Sequence, residues 1–259
     1  MNVAFLSDIH SNIEALEAVL DDLQQRKIFE VYCLGDLVGY GPDPNMVVER
    51  IQALNIPCVM GNFDDAVGFG KGSCGCNYLP GRETEVGEIT LNWSIQNTSD
   101  AGREFLKKIP KTRIIDIQGV QIHLVHGSPV NPLLEYLRPD TPTQRWKEIA
   151  KTVQGDVMIN GHTHVPMARF VNGVGLFNCG SVGRPKDGDT RASYLILDIH
   201  NGIFSYEIVR VRYPIKMVCE KLSQLRLPPE LGTVLALGQT FDMGTNPIPE
   251  RAFYDFPIS

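Results

Sequence analysis

Five short stretches of this chain hold residue types that could do chemistry: Asp8-Ile9-His10, Gly35-Asp36, Gly61-Asn62, His126-Gly127 and Gly161-His162-Thr163-His164. They bring two carboxylates (Asp8, Asp36), one amide (Asn62) and four imidazoles (His10, His126, His162, His164). Such a mixture of nitrogen and oxygen donors suits Mn²⁺, Fe, Zn²⁺ or Ni²⁺ better than an all-oxygen Mg²⁺ or Ca²⁺ site. On an extended backbone His162 and His164 would point to the same side and reach one polar centre, such as a metal pair. Each stretch alone also has a plain reading: Asp8 as a turn former, Asn62 as a turn residue, His126 as a core histidine. Only the position of all five together distinguishes the two readings. His123 and His200 fall inside a strand and in a turn, and no role is assigned to them.

All five stretches follow apolar runs. Residues 2–7 read as a buried strand, and Ile13, Leu16, Val19, Leu20 and Leu23 continue it at helical spacing behind a cap at Ser11 or Asn12. Residues 31–34 read as a second strand, 46–54 as a second helix and 56–60 as a third strand, which is the β-α-β-α-β order of a parallel sheet. Polar residues just past the C-terminal ends of such strands occupy the edge where open α/β sheets gather their active sites. Residues 63–110 break this rhythm: 68–81 is a Gly-rich loop, and 83–95 and 101–109 read as helices. This segment is either an insertion covering the site or two more packing helices. Strands follow at 113–117 and 120–125 around a Gln118-Gly119 hairpin turn, then a helix at 144–153 and a strand at 157–160. A hairpin of 168–171 with 175–178, two long strands at 192–199 and 203–211, and two short helices split by Pro228-Pro229 complete the order. The Pro-rich last stretch either packs on a partner or stays loose.

With 259 residues, 43% hydrophobic and 21% charged, the chain can bury a large core. A net charge of −6 argues against an extended nucleic-acid surface, while a bound metal pair would itself supply the positive charge a phosphate needs. No apolar run approaches the roughly 18 residues of a membrane span, and no signal-type leader is evident, so a cytoplasmic protein with reduced thiols is expected. Cys74-Gly75-Cys76 is a lone C-x-C pair, read as two thiols in a loop rather than a zinc site.

The order D-x-H, GD, GN, HG, GHTH, running from residue 8 to 164, resembles the calcineurin-like metallophosphoesterase superfamily. The resemblance implies a four-layer α/β/β/α sandwich, here with a helical insertion over 63–110. It implies a metallophosphoesterase domain over 1–211 and a C-terminal helical extension over 212–259. By the same similarity Asp8, His10, Asp36 and His164 would hold one divalent metal. Asp36, Asn62, His126 and His162 would hold the other, with Asp36 bridging and Mn²⁺ expected for activity. Two cations about 3.5–4 Å apart can neutralise a phosphoryl oxygen and deprotonate a water for in-line attack. Asn62, ligating through its carbonyl oxygen, would have its NH₂ left to donate to the phosphate. The substrate expected is a phosphorylated small molecule or nucleotide, and homo-oligomerisation is left open.

Two departures bear on the substrate. Many members have His where this chain has Phe63, and there it is thought to protonate the leaving oxygen; Asp64 and Asp65 are the nearest replacement acids. Protein phosphatases and symmetrical diadenosine-tetraphosphate hydrolases of the superfamily carry an Arg soon after GD. Here the run is Leu37-Val38-Gly39-Tyr40-Gly41-Pro42, similar to a small prokaryotic branch of phosphodiesterases related to the diadenosine-tetraphosphatases. Arg184 and Lys186 are the candidates for a substitute charge. A phosphodiesterase or a nucleotide or dinucleoside-polyphosphate phosphohydrolase is therefore expected. The alternatives are a serine/threonine-type protein phosphatase, which the missing His and Arg count against, and a catalytically silent scaffold, which the filled ligand positions count against.

Overall fold

The computed structural model describes residues 1–78 and 80–240. β1 (Asn2–Leu6) is covered on both faces: Val3 and Phe5 enter one core, Ala4 and Leu6 another. A helical crossover, α1 (Ile13–Gln25), leads to β2 (Glu30–Cys33), which pairs parallel with β1. Asn12 caps α1, its Oδ1 accepting from Ala15 N–H at 3.0 Å, and Ile13, Leu16, Val19 and Leu23 form the buried stripe. α2 (Pro44–Ala53) follows, starting on a proline whose missing N–H costs nothing there.

The third strand expected over 56–60 is reduced to a single bridge between Cys33 and Cys58. The segment does lie along β2, with Cys33 N–H donating to Pro57 O and Val59 N–H to Cys33 O. Pro57 has no N–H with which to extend a ladder. The chain then turns at once into α3 (Asn62–Phe69), a helix not anticipated from the sequence, which stops at Gly70 in the left-handed region (φ 65°). The expected Gly-rich loop therefore begins only after Phe69. α4 (Arg82–Asn97) and α5 (Asp100–Lys108) form as expected, and Ser99 Oγ caps α5 by accepting from Gly102 N–H.

β3 (Thr112–Ile117) and β4 (Val120–Val125) make the expected hairpin, with Gln118 and Gly119 at φ 50° and 84° as a primed turn requires. The rest of the order is α6 (Thr143–Thr152), β5 (Val157–Asn160), β6 (Met167–Val171), β7 (Val174–Asn178), β8 (Ala192–His200), β9 (Ile203–Val211), α7 (Ile215–Gln224) and α8 (Pro229–Leu237). The Pro-rich stretch at the end lies outside the described residues. No helix among the described residues is long and apolar enough to cross a membrane.

Two sheets result, one in the order β2-β1-β8-β9 and one in the order β3-β4-β5-β7-β6. Period-two alternation sends Val3, Phe5, Leu195 and Leu197 from the first, and Ile122, Leu124, Val157, Ile159 and Phe177 from the second, into one core between them. On the outer face of the first sheet, Ala4, Leu6 and Ile196 pack against α1, α7 and their neighbours. On the outer face of the second, Val125, Met158 and Leu176 meet Trp146 and Ile149 of α6. Burying a side chain of this size stabilises by roughly 1.5–3 kcal/mol. The architecture is thus helix, sheet, sheet, helix, with β1, β4 and β5 ending at a common edge.

Candidate metal centre

The loops leaving that edge are tied to one another by backbone hydrogen bonds. Asp8 N–H donates to Gly35 O and His10 N–H to Asp36 O, each at 2.9 Å, so the first two loops run side by side. Gly161 N–H donates to His126 O at 3.0 Å, which joins the loops after β4 and β5. The two sheets are joined in turn: His162 N–H donates to Asp8 Oδ2 at 3.0 Å, and Val182 and Gly183 N–H donate to Ser7 O and Asp8 O.

Asp8, His10, Asp36, His162 and His164 all have left-handed backbone, with φ between 49° and 65°. Non-glycine residues rarely adopt it, and such strain persists only where the surroundings hold it. The extended backbone expected for the GHTH stretch is therefore not what forms. Instead the two left-handed turns send His162 and His164 into different clusters. Asp8, His10 and His164 make one group of candidate ligand atoms, and Asp36, His126 and His162 make another. Asp36 stands between them. Its Oδ1 accepts from Phe63 N–H at 2.8 Å, and its Oδ2 lies 3.6 Å from His10 Nε2 and 3.5 Å from His126 Nε2. Asn62 joins the second group, with Oδ1 3.1 Å from His126 Nε2.

The donor set fits a pair of cations. Nδ1 of His10, His126 and His164 faces the carbonyl oxygens of Val38, Leu34 and Arg184 at 3.0, 2.8 and 2.6 Å. Nδ1 must therefore donate, which leaves each Nε2 lone pair for a metal. His10 Nε2 and His164 Nε2 face each other at 3.1 Å, lone pair to lone pair. Burial pushes His10 down to about 3 and His164 well below the usual histidine range, so protonation does not relieve that contact. A cation does. Burial is the largest single influence on His126 and opposes its charge, yet Asp36, Asp8 and the Leu34 carbonyl together hold this ring up to about 10; the carboxylates favour a positive partner there. His162 Nε2 and Asp8 Oδ1 are buried without a hydrogen-bond partner among the described residues, as atoms reserved for a metal are.

A cavity of about 240 Å³ opens onto this centre. His10, Asp36, Asn62, His162 and His164 form its floor, and Cys76, Asn77 and Tyr78 of the segment between α3 and α4, with Glu83 at the start of α4, form one wall. Tyr136, Arg138 and Lys186 also line it. The Tyr136 ring packs on His162 with centroids 4.0 Å apart, and the Arg138 guanidinium lies 5.1 Å from the centre of the Tyr136 ring. Phe63 is buried against His10 and Tyr40, with centroids at 5.4 and 4.6 Å.

Three sequence expectations change here. Asp64 is not a replacement acid at the cavity. It is fully buried and accepts from Leu37 and Gly61 N–H at 2.8 and 3.0 Å, tying the GD loop to the start of α3. Burial and the neighbouring Asp36 charge push it up to about 7. Arg184 does not line the cavity either: its guanidinium lies over Tyr40, 4.1 Å from the ring centre, and Lys186 takes the place expected of it. The Asn62 amide hydrogens, expected to be left for a phosphate, are directed at Cys74 O (3.0 Å) and Cys76 Sγ (3.1 Å). Sequence reasoning missed Tyr136 and Arg138, which sit in no motif, and it saw the C-x-C pair without its link to Asn62.

A family model for the calcineurin-like phosphoesterase superfamily domain matches residues 1–202. An uncharacterized protein of Methanocaldococcus jannaschii is 38% identical over 253 residues, which are 92% of this chain and 98% of that protein. Phosphodiesterase YfcE of Escherichia coli K12 is 28% identical over 208 residues, 76% of this chain and 88% of that one. Among solved structures, a metallophosphoesterase from Sphaerobacter thermophilus superposes with a TM-score of 0.74 at 29% identity, covering 92% of this chain and 99% of its own.

Proposed function

The chain belongs to the calcineurin-like phosphoesterase superfamily, and from that premise we propose that it hydrolyses phosphodiesters or nucleotide-type phosphoanhydrides at a two-metal centre. Asp8, His10 and His164 would hold one divalent ion and Asn62, His126 and His162 the other, with Asp36 contributing to both. Mn²⁺ is the ion proposed for activity. When bound, the pair supplies charge to neutralise a phosphoryl group and to acidify an attacking water. The observation that carries this reading is the position of Asp36 Oδ2, 3.6 and 3.5 Å from the Nε2 atoms of two histidines in separate donor groups.

The chain's own residues do the positioning, which is most of what phosphoryl transfer asks of a protein. The carbonyl oxygens of Val38, Leu34 and Arg184 orient three imidazoles. Tyr136 buttresses the fourth. Phe63 and Tyr40 shield the His10 side from water, while Lys186 and Arg138 add positive charge where a phosphate enters. Residues 1–211 serve as the hydrolase domain and 212–259 as its extension. The 63–110 segment covers the site, a role supported by Cys76, Tyr78 and Glu83 in the cavity wall.

The test is hydrolysis of an aryl phosphodiester with Mn²⁺, repeated after chelation and in Asp36→Ala. Loss of turnover in both is expected, on the order of 10³-fold or more. Activity unchanged by chelation would remove the metals from the mechanism.

A further inference from the structure

Resting on that hydrolase reading, the reaction needs one proton that the ligand set cannot supply. When the P–O bond breaks, its electron pair stays on the departing oxygen, and a poor leaving group departs faster if that oxygen is protonated in the same step. His10, His126 and His164 have their Nδ1 protons bound to backbone carbonyls, and all four imidazoles, His162 included, are the proposed metal ligands. Phe63 carries no exchangeable proton. Tyr40 and Tyr78 share one hydroxyl hydrogen bond at 2.6 Å, and burial raises both. A guanidinium does not release its proton in this pH range.

We propose that Lys186 is a catalytic residue, the ammonium that protonates the departing ester oxygen.

Its placement supports the role. Lys186 extends from a loop wired to the Asp8 and His164 side of the centre. Ser181 Oγ donates to Asp8 O at 2.7 Å and accepts from Arg184 N–H at 2.8 Å. Gly183 O accepts from Asn12 Nδ2 at 2.9 Å, and Arg184 O receives His164 Nδ1 at 2.6 Å. Pro185 stiffens the next step, which restricts the backbone leading into Lys186. Arg184 turns away onto Tyr40, and the half-buried Lys186 side chain enters the cavity. Burial and the Arg184 charge, against Cys76, Asp8 and Glu83, bring its ammonium down to about 8, where proton donation near neutral pH is efficient.

The step balances without an added reagent. The water oxygen forms the new P–O bond, the old P–O bond breaks, and its electron pair takes the Nζ proton to give an alcohol. The neutral amine regains the proton lost by the attacking water.

The experiment compares wild type, Lys186→Arg, Lys186→Met and Glu83→Gln, Glu83 being the other acid in the cavity wall. Substrates are aryl methyl phosphates running from 4-nitrophenyl to phenyl leaving groups, at saturating Mn²⁺. Bound metal and inorganic-phosphate affinity are measured for every variant. Lys186→Arg keeps the charge but not the loose proton. It is expected to bind metal and phosphate like wild type and to lose about 10²-fold in kcat for the phenyl ester. The 4-nitrophenyl ester should change less than about fivefold. Lysine donates only while charged, and bound cations lower it further, so wild-type kcat for the phenyl ester should fall as pH rises through a value at or below about 8, and this limb should vanish in Lys186→Arg. Equal losses on all esters, or full activity in Lys186→Arg, would overturn the assignment and leave the phosphoesterase reading intact. So would leaving-group-selective loss in Glu83→Gln instead. Wild type inactive on the 4-nitrophenyl ester with every metal tried would overturn both.

Discussion

Asp64→Asn separates a structural carboxylate from a catalytic one. Its two oxygens receive three backbone N–H groups: Leu37 at 2.8 Å, Val38 at 3.4 Å and Gly61 at 3.0 Å. An amide can accept at only one end, so its NH₂ would face a backbone donor that has no other partner. Losing one hydrogen bond to a charged group costs about 1.5–3 kcal/mol, and the orphaned buried N–H adds about 1–3 kcal/mol. Because burial already pushes Asp64 up to about 7, part of that charge-assisted strength is missing, and we expect a net loss of about 2–4 kcal/mol. For a chain of this size the melting midpoint should fall by roughly 5–15 °C. The assay is thermal unfolding with and without Mn²⁺, beside turnover of 4-nitrophenyl and phenyl esters. Activity should fall by the same factor on both, since the substitution loosens Asp36 and Asn62 rather than removing an acid. An unchanged midpoint with loss confined to the phenyl ester would refute this reasoning and make Asp64 a proton donor.

Gly61→Ala should fail for a reason no conformational preference reveals: Gly61 has an ordinary φ of −90°, but a Cβ there would overlap Asp36 N and Oδ1. Displacing that carboxylate should weaken metal binding about 10–100-fold, measured by calorimetry, with a stability loss of about 1–3 kcal/mol; binding within about twofold of wild type would contradict the packing. Phe63→His places an imidazole beside His10 and Tyr40. It should raise turnover of phenyl esters more than that of 4-nitrophenyl esters, by about tenfold, most visibly in Lys186→Met; equal effects on both would mean this position does not govern leaving-group protonation.

Much of the edge was legible because the sequence alternates apolar runs with short polar stretches. Residues 157–160 and the Gln118-Gly119 hairpin formed as expected, and both depend on local pattern alone. What local pattern could not show lies where tertiary contacts override it. Gly61-Asn62-Phe63-Asp64 has the composition of a turn, and it opens a helix because Asp64 reaches back to Gly61 N–H. The left-handed backbone of His162 and His164 is held by distant partners, Asp8 and Arg184. Arg184 and Lys186 are two residues apart, and only the stacking of one on Tyr40 decides which enters the cavity. The link from Cys76 to Asn62 crosses a Gly-rich loop whose path no periodicity encodes.

The central claim is that Asp36 joins two metal ions. Anomalous diffraction from crystals soaked in Mn²⁺ tests it directly. Two peaks roughly 3.5–4 Å apart are expected, with Asp36 Oδ2 within ligand distance of both and His164 and His162 on different ions. A single peak, or two peaks of which Asp36 touches only one, would contradict it.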